Sequence, residues 1–359
     1  MSGATEIKGE WNGVLDTLKR IPLTTMLIGG LLVIIMTVGG FAGMSIATEI
    51  TNILQRFSYW GILVLAMVPS IQSGTGPNFA LPIGICAGLL ALINTMELGL
   101  MGASFIIVSI VMAIPIACIF GYIYGKLMNA VKGSEMAIAT YTGFAVTFLF
   151  SMIWLLYPVT NPNIGFFLGD GLRILISLDT FGAAKILETL FEFNVFGVVI
   201  PTGTLLVFFA CCIIVYLFFR AKSGIAISAV GMNPVFAKAT GVNVDRSRII
   251  ANMISTSLGA IGIIVYAQGF GFVQLYDAPL MMAFPAVAAV LVGGASALRS
   301  KVIHVIIGCF LFQGLLTTAP PVIGRLLQNV DADITNPIRL IVQYGVILYA
   351  LTKMSGGGK

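Results

Sequence analysis

Long apolar runs separated by short polar breaks dominate this chain. A helix needs about 20 apolar residues to cross the hydrocarbon core of a bilayer. The pattern predicts ten spans, of which the second and eighth are short or interrupted: 22–43, 57–71, 78–95, 101–125, 136–158, 197–219, 249–268, 279–297, 302–319 and 338–353. The predicted fold class is an all-α polytopic membrane protein with about ten transmembrane helices, and its transmembrane domain covers residues 22–353.

The distribution of lysine and arginine predicts the orientation of these spans, because cytoplasmic loops carry an excess of both residues. With a cytoplasmic N-terminus, fourteen basic residues lie inside and five lie outside, namely Arg56, Arg173, Lys185, Arg325 and Arg339. Both termini are therefore predicted to be cytoplasmic, as a segment at 1–21 and a flexible tail at 354–359. The longest external segment, 159–196, is predicted either to lie as a short amphipathic helix on the outer surface or to be a solvated loop.

Composition supports a membrane protein and excludes several kinds of site. Hydrophobic residues make up 58% and charged residues 9% of the chain, whereas soluble domains carry about 25% charged residues. The net charge of +5 lies in short juxtamembrane runs, so it indicates topology and not nucleic-acid binding. The five cysteines lie inside apolar runs without metal-ligand spacing and are expected to pack as small hydrophobes. The lone histidine, His304, is expected to be structural, and no metal site is predicted.

No Asp, Glu, Lys or Arg interrupts the apolar body of a predicted span. Ion-coupled carriers usually keep such residues at mid-membrane, where the coupling ion needs a ligand or a relay. This absence argues against ion-coupled transport and against a charged solute bound deep in the membrane. The predicted solute is therefore small, neutral and polar.

Two polar breaks carry the residues that suit such a solute. Glycine and proline interrupt the helical pattern at 72–79 and 268–277, and freed backbone groups survive at membrane depth only when they are buried in protein or face water. The breaks also occupy comparable places in the two halves of the chain, as in transporters built from repeats. The alternative for each is a tight turn satisfied locally. The predicted pathway residues are Gln72, Thr75, Asn78, Phe79, Gln268, Phe270, Gln274 and Tyr276.

The basic segment 220–248 is the most distinctive polar stretch. Asn233 suits an N-cap, Pro234 the first helical position, and Gly241 the residue after a helix. They predict a short helix from Pro234 to Thr240 that is too short to be stable alone. It is therefore expected to pack against a soluble partner, with Lys238, Arg246 and Arg248 around it, or to form a turn held by anionic lipid. The sequence favours neither alternative.

The stretch ISAVGMNPVFAKATGVNVDRSR resembles the signature loop of permease subunits from ABC importers of the ribose, galactose and autoinducer class. The matching positions are Ala229, Gly231, Asn233, Ala237, Gly241, Val242, Val244 and Arg246. A second segment from Phe284 to Ser296, FPAVAAVLVGGAS, is also similar to that family. The segment at Gly74–Gly84 departs from the sugar permeases, and its Asn78-Phe79-Ala80 is similar to the sister group of branched-chain amino acid permeases.

The resemblance implies a fold like that of vitamin B12-type importers and a bacterial cytoplasmic (inner) membrane location. It implies that 220–248 holds a coupling helix for an ATP-hydrolysing subunit. The residues implied in coupling are Gly231, Asn233, Pro234, Ala237, Lys238, Gly241 and Arg246. It further implies a second permease, identical or different, and an external solute-binding protein. ATP and Mg²⁺ are expected at the partner, since this chain has no phosphate-binding loop of its own.

The leading hypothesis is therefore a permease subunit of an ATP-driven importer for a sugar or nucleoside, which is not itself an enzyme. One alternative is a permease of the branched-chain amino acid type. A second is a self-sufficient secondary carrier or channel, which the missing intramembrane charges disfavour. The third, a polytopic membrane enzyme, lacks a catalytic constellation in the sequence.

Overall fold

The computed structural model describes residues 22–165, 171–326 and 335–356. The predicted N-terminal segment 1–21 and part of the predicted tail at 354–359 lie outside the described residues. The first half of the fold is a series of helices: α1 (Leu23–Phe41), α2 (Ile46–Leu65), α3 (Met67–Gln72), α4 (Leu81–Glu97), α5 (Gly102–Ala130) and α6 (Glu135–Leu156).

The second half mixes long helices with short elements. They are β1 (Leu175–Ser177), a 3₁₀ turn (Asp179–Phe181), α7 (Ile186–Thr189), β2 (Phe193–Val195), β3 (Val198–Ile200), α8 (Thr202–Arg220), α9 (Lys222–Met232), α10 (Pro234–Ala239), α11 (Val244–Phe270), β4 (Phe272–Gln274), α12 (Asp277–Met281), α13 (Ala283–Val292), α14 (Val302–Leu326) and α15 (Thr335–Gly356). The chain is thus mostly helical, and the short strands qualify the all-α prediction.

Each of the ten predicted spans coincides with helix. Within the described residues, six helices are both long and apolar enough to cross a membrane: α1, α5, α6, α8, α11 and α14. The predicted second span extends back to Ile46 as α2, although Glu49, Gln55 and Arg56 make this end polar. The predicted eighth span is broken at Met282 into α12 and α13. Pro285 contributes to this break, because it has no N–H to donate to the carbonyl of Met281.

The segment predicted as an amphipathic surface helix folds differently. β1 pairs antiparallel with β4, and β2 pairs with β3 as a hairpin. Gly182 and Lys185 both have left-handed backbones, with φ of 58° and 55°, so a continuous helix cannot pass through them. The helix that forms here, α7, is limited to the four residues Ile186–Thr189, because the strand pairing to β4 and the two left-handed residues override the local apolar periodicity elsewhere in the segment.

Helix α11 lies at the centre of the fold, and α4 and α5 pack onto it through glycines. A methyl group added at Gly88 comes within 2.5 Å of the Ala260 carbonyl oxygen, and one added at Gly121 within 2.7 Å of the Met253 Cα. Small residues permit such close backbone approach between membrane helices. The Thr256 hydroxyl lies in the α5 contact and donates to the carbonyls of Ala117 at 3.0 Å and Asn252 at 2.9 Å.

We expect Gly121→Ala to destabilise the protein by about 1–3 kcal/mol, because overpacking a tight interior forces backbone shifts. The measurement is the thermal unfolding midpoint of the detergent-solubilised protein, together with its yield from membranes. Gly30→Ala in α1 is the matched control, because nothing lies within 4 Å of its added methyl group. Equal midpoints for the two variants contradict the packing assigned to α5 and α11.

Candidate functional site: a coupling loop and two polar breaks

The short helix α10 is built by its flanking residues. The Asn233 side chain accepts a hydrogen bond from the Phe236 backbone N–H at 3.0 Å. Pro234 occupies the first helical position, and Gly241 follows the helix at φ 84°. The predicted cap, first residue and terminating glycine are therefore confirmed as local structure.

Helix α10 presents apolar side chains outward. Val235 and Phe236 are 79% and 63% exposed, whereas Ala237 is fully buried. Lys238 and Arg246 are also exposed. Because Ala237 faces the protein and its two predecessors face away, α10 is held from beneath and offers an apolar upper face to another molecule.

A cleft of about 950 Å³ lies beside α10 and the first turn of α11. It is lined by residues of the α5–α6 loop and of 234–248: Lys132, Gly133, Glu135, Pro234, Val235, Lys238, Ala239, Val242, Asn243, Val244, Asp245 and Arg248. Charges of both signs and an exposed apolar edge give this surface the character of a protein contact more than that of a small-molecule pocket.

The first polar break, 72–79, packs directly beneath the segment 220–248, the candidate coupling loop. A methyl group added at Gly231 lies 2.1 Å from the Gln72 carbonyl oxygen, and one added at Gly74 lies 3.0 Å from the Gly231 Cα. Gly74 also has a φ of 76°, which favours glycine. Residue Gly231 of the signature loop thus rests on the break itself, a contact that no spacing in the sequence reveals.

A buried ion pair strengthens this contact. The Arg248 guanidinium lies 3.1 Å from the Glu135 carboxylate and also donates to the Gly74 carbonyl oxygen at 3.5 Å. The Arg248 side chain is only 9% exposed and that of Glu135 only 16%. Arg248 was expected to surround α10 with positive charge, and the structure instead turns it inward. The sequence gives no local signal for this pair, because its partners lie 113 positions apart in the chain.

The other predicted residues of the first break are buried among protein groups. Asn78 donates to the Ser255 hydroxyl at 2.8 Å, and Ser255 donates to the Ala66 carbonyl at 2.6 Å. Thr75 donates to the Ser70 carbonyl. The Gln72 side-chain amide donates to the Ser300 carbonyl, and Phe79 packs near Phe284 with ring centroids 5.5 Å apart. These contacts join α2–α3 to α11, and the side-chain oxygen of Asn78 is the one buried polar atom of these four side chains left without a hydrogen-bond partner in the described structure.

The second break, 268–277, lies at the opposite end of α11. Gln268 is buried, and its side-chain oxygen accepts from the Leu187 N–H at 3.1 Å. Phe270 is 39% exposed, Gln274 pairs with Leu175 in the β1–β4 ladder, and the Tyr276 hydroxyl donates to the Leu172 carbonyl at 3.3 Å. The first break contacts α11 at Arg248 and Ser255, and the second begins at Gln268 near its C-terminal end, so the breaks are separated by about 20–30 Å along the helix at 1.5 Å per residue.

A polar cavity of about 350 Å³ opens beside this second break. It is lined by Asn52, Gln55, Arg56, Tyr59, Lys185, Glu188, Gly269, Phe270 and Thr317. Burial raises the pKa of the Glu188 carboxyl to about 7, and nearby Lys185 opposes that shift. Of the predicted pathway residues, only Phe270 lines the cavity. Glu188 lies in the segment 159–196, which the sequence predicts to be external, and the structure buries it. The sequence does not reveal this burial, because it depends on how 175–200 folds around the end of α11.

The remaining candidate chemistry is structural. The five cysteines are free thiols, and the ring Nδ1 of His304 accepts from the Lys301 backbone N–H at 3.3 Å. Across 22–165, 171–326 and 335–356, three or more histidine, cysteine or acidic side chains nowhere gather as a metal site.

Comparison with known proteins identifies the family. Residues 49–351 match the family model described as branched-chain amino acid transport system / permease component. The chain is 25% identical over 216 residues to the nucleoside ABC transporter permease protein NupB of Lactococcus lactis, which is 58% of this chain and 56% of that protein. It is 30% identical over 141 residues to the guanosine ABC transporter permease protein NupQ of Bacillus subtilis, which is 39% of this chain and 42% of that protein.

The matched stretches thus span about half the length of these curated relatives, and no solved structure matches the chain. The family model, in contrast, covers most of α2 through most of α15 and includes both polar breaks, the segment 220–248 and the cavity beside the second break. Together with the six long apolar helices, this identifies a multi-pass membrane protein. The chain belongs to the permease-component family of the branched-chain amino acid transport system type.

Proposed function

We propose that this chain is the permease subunit of an ATP-driven importer that carries a nucleoside across the cytoplasmic membrane of a bacterium. The observation that carries the proposal is the braced coupling helix. Val235 and Phe236 on α10 are exposed, while Gly231 just before α10 contacts Gly74 in the first break. A partner that moves α10 therefore acts directly on a break in the membrane domain.

The proposed partner at α10 is an ATPase subunit that binds ATP and Mg²⁺ and performs the hydrolysis. The cleft beside α10 and its exposed apolar face support such a contact. The proposal also includes a second permease, identical or paralogous, and an external solute-binding protein that delivers the solute. In this arrangement ten spans, two cytoplasmic termini and a B12-type fold set the coupling loop inside and the second break outside.

The proposed solute class rests on the relatives and on the 350 Å³ polar cavity beside the second break, called the outer cavity because the proposed topology places it on the external side. The relatives are named for nucleosides and for guanosine. No aliphatic side chain lines the cavity within the described residues, whereas Tyr59 and Phe270 offer rings and Asn52 and Gln55 offer amides. A branched-chain amino acid needs an aliphatic contact for its side chain, so this lining supports a planar, hydroxylated solute instead.

The proposed path runs from Phe270 at the outer end to the first break at the inner end. Gln268, Gln274 and Tyr276 hold the outer end together through hydrogen bonds and strand pairing. Gln72, Thr75, Asn78 and Phe79 close the inner end through contacts within the protein. We propose that motion of α10 loosens this inner closure through Gly231 and Arg248.

Transport itself is tested with the full complex in proteoliposomes. We expect radiolabelled guanosine to accumulate only when ATP, the ATPase and the binding protein are all present, and leucine not to accumulate. Liposomes that contain this chain alone are the control for a secondary carrier. Uptake by the chain alone, or of leucine in place of guanosine, contradicts the proposed function.

We expect Phe236→Asp to abolish ATPase binding, because it places a charge at the centre of an apolar contact surface. The measurement is co-purification of the ATPase with the tagged permease from membranes. Phe196→Asp is the matched control, because Phe196 is equally aromatic and 99% exposed but lies in the turn between β2 and β3. The docking surface is wrongly assigned if both variants retain the ATPase.

We expect Glu135→Gln to weaken the link between α11 and the first break by about 1–2 kcal/mol, because it replaces a buried charge-assisted hydrogen bond with a neutral one. The ATPase should still bind, but transport per ATP hydrolysed should fall several-fold. The measurement is the ratio of guanosine taken up to ATP hydrolysed in proteoliposomes.

Asp245→Asn is the matched control. It removes the Lys132–Asp245 pair, which joins the α5–α6 loop to α11 at 2.7 Å but has side chains that are more than half exposed. Such exposed pairs contribute about 0–1 kcal/mol. Because Glu135 and Asp245 both line the cleft beside α10, the ratio is compared only in complexes that retain the ATPase, and there Asp245→Asn should leave it unchanged. Equal ratios for Glu135→Gln and Asp245→Asn contradict the coupling role of the buried pair.

A further inference from the structure

The outer cavity contains a carboxylate that the fold holds in place and leaves without a cation. Glu188 is 6% exposed, and among the described residues no basic nitrogen lies within 4 Å of its carboxylate. Burying an acid without pairing it is costly. The groups that carry charge near it are Lys185 and Glu192 on the same segment, and Arg56 from α2 across the cavity. Such an arrangement suits a ligand that brings its own hydrogen-bond donors.

The segment that carries Glu188 is anchored to the end of α11. The Gln268 carbonyl accepts from the Lys185 N–H at 2.8 Å, and its side-chain oxygen accepts from the Leu187 N–H at 3.1 Å. Lys185 itself is held at φ 55°, a conformation that non-glycine residues keep only where the surroundings impose it. Gln268 therefore acts as a positioning residue for the short helix α7.

The aromatic wall of the cavity is set by a glycine. A methyl group added at Gly269 lies 2.7 Å from a Tyr59 ring carbon and 3.2 Å from a Glu188 carboxylate oxygen. The absence of a side chain there brings the ring and the carboxylate close to the same point. The Phe270 ring stacks on Tyr266 at 5.7 Å, which fixes its orientation. A carboxylate beside aromatic rings can accept hydrogen bonds from N–H groups on the edge of a heterocycle while a ring stacks on its face.

We propose that this outer cavity is a binding site for a nucleoside whose base carries adjacent N–H donors, with the Glu188 carboxylate accepting from those donors and an aromatic ring of the wall contacting the base. The proposal rests on the nucleoside function proposed above and adds the site and the base. A carboxylate has two acceptor oxygens, and guanine offers a ring N–H next to an exocyclic amine. Adenine has no ring N–H on that edge, so it forms only one such bond.

The position of the cavity supports a role in entry. It lies at the end of α11 away from the coupling loop, so it faces the side from which an importer receives its solute. A volume of about 350 Å³ falls at the lower end of the range for small-molecule sites, about 300–1,000 Å³. Asn52 and Gln55 lie in the lining and offer hydrogen bonds to sugar hydroxyls.

The decisive variant is Glu188→Gln in the full complex, because it keeps the shape of the side chain and removes its charge. We expect kcat/KM for guanosine uptake at pH 8 to fall by about tenfold or more, in line with the discrimination that a bidentate contact to a base provides. Adenosine uptake should change by less than about threefold. Glu192→Gln, an exposed acid four residues along, is the matched control and should leave both solutes unaffected.

External pH provides a second readout that a merely structural role does not move. Because burial raises the Glu188 pKa to about 7, the carboxylate is mostly ionised at pH 8 and mostly protonated at pH 6. We expect guanosine uptake by the unmodified complex to fall about tenfold between pH 8 and pH 6, and uptake by Glu188→Gln to be flat over that range. A Glu188→Gln complex that matches the unmodified one for guanosine, or that loses guanosine and adenosine equally, overturns the proposal.

Equilibrium binding separates this proposal from the proposed function. Guanosine binding to the purified full-length permease, followed by tyrosine fluorescence without ATP, should be weakened by Glu188→Gln and not by Glu192→Gln. Binding that depends on Glu188 in a complex that does not transport guanosine supports the site and contradicts the importer. Transport of guanosine that is indifferent to Glu188 supports the importer and overturns the site.

Discussion

The close packing of α4 and α5 against α11 is the constraint on which the rest of the structure depends. Glycines at 84, 88, 121 and 125 bring these helices to backbone contact with α11. Because a membrane offers no hydrophobic driving force between helices, such contact and interhelical hydrogen bonds supply the association energy. Helix α11 is thereby fixed by its neighbours along much of its length. The candidate coupling loop lies at its N-terminal end and the outer cavity at its C-terminal end.

Contacts along α11 connect the candidate coupling loop at one end of the molecule to the outer cavity at the other. At one end Gly231 and Arg248 join the coupling loop to the first break. In the middle, Ser255 ties the same break to α11 and, through the Ala66 carbonyl, to the junction of α2 and α3. At the other end Gln268 positions the segment that carries Glu188. Under the proposed function, a displacement imposed at α10 would reach the outer cavity as motion of α11, because packed cores respond by discrete shifts.

The sequence predicts the helices far better than the contacts between them. Apolar runs near 20 residues and the residues Asn233, Pro234 and Gly241 depend on local physics, so the helix positions and the cap of α10 are confirmed. The surface helix predicted within 159–196 is only four residues long, and β1 of the same segment pairs with a strand almost a hundred residues away, which the sequence does not reveal. For the same reason, the sequence predicts that Arg248 lies exposed around α10 and that Glu188 lies in an external loop, whereas both are buried. The burial of each depends on a partner segment remote in the chain, and periodicity carries no information about such partners.

The two acidic residues Glu135 and Glu188 have contrasting environments, which fit the different roles proposed for the two ends of the fold. Both carboxylates are largely buried, but Glu135 has an arginine at 3.1 Å. Lys185, Glu192 and Arg56 carry charge near Glu188, and among the described residues no basic group forms an ion pair with it. A buried ion pair is costly to separate, so it keeps the two segments that carry its charges at a fixed distance. An unpaired buried charge retains free hydrogen-bonding capacity and responds to a ligand or to pH. The pair therefore suits the end of the molecule that a partner moves, and the unpaired acid suits the end that receives the solute.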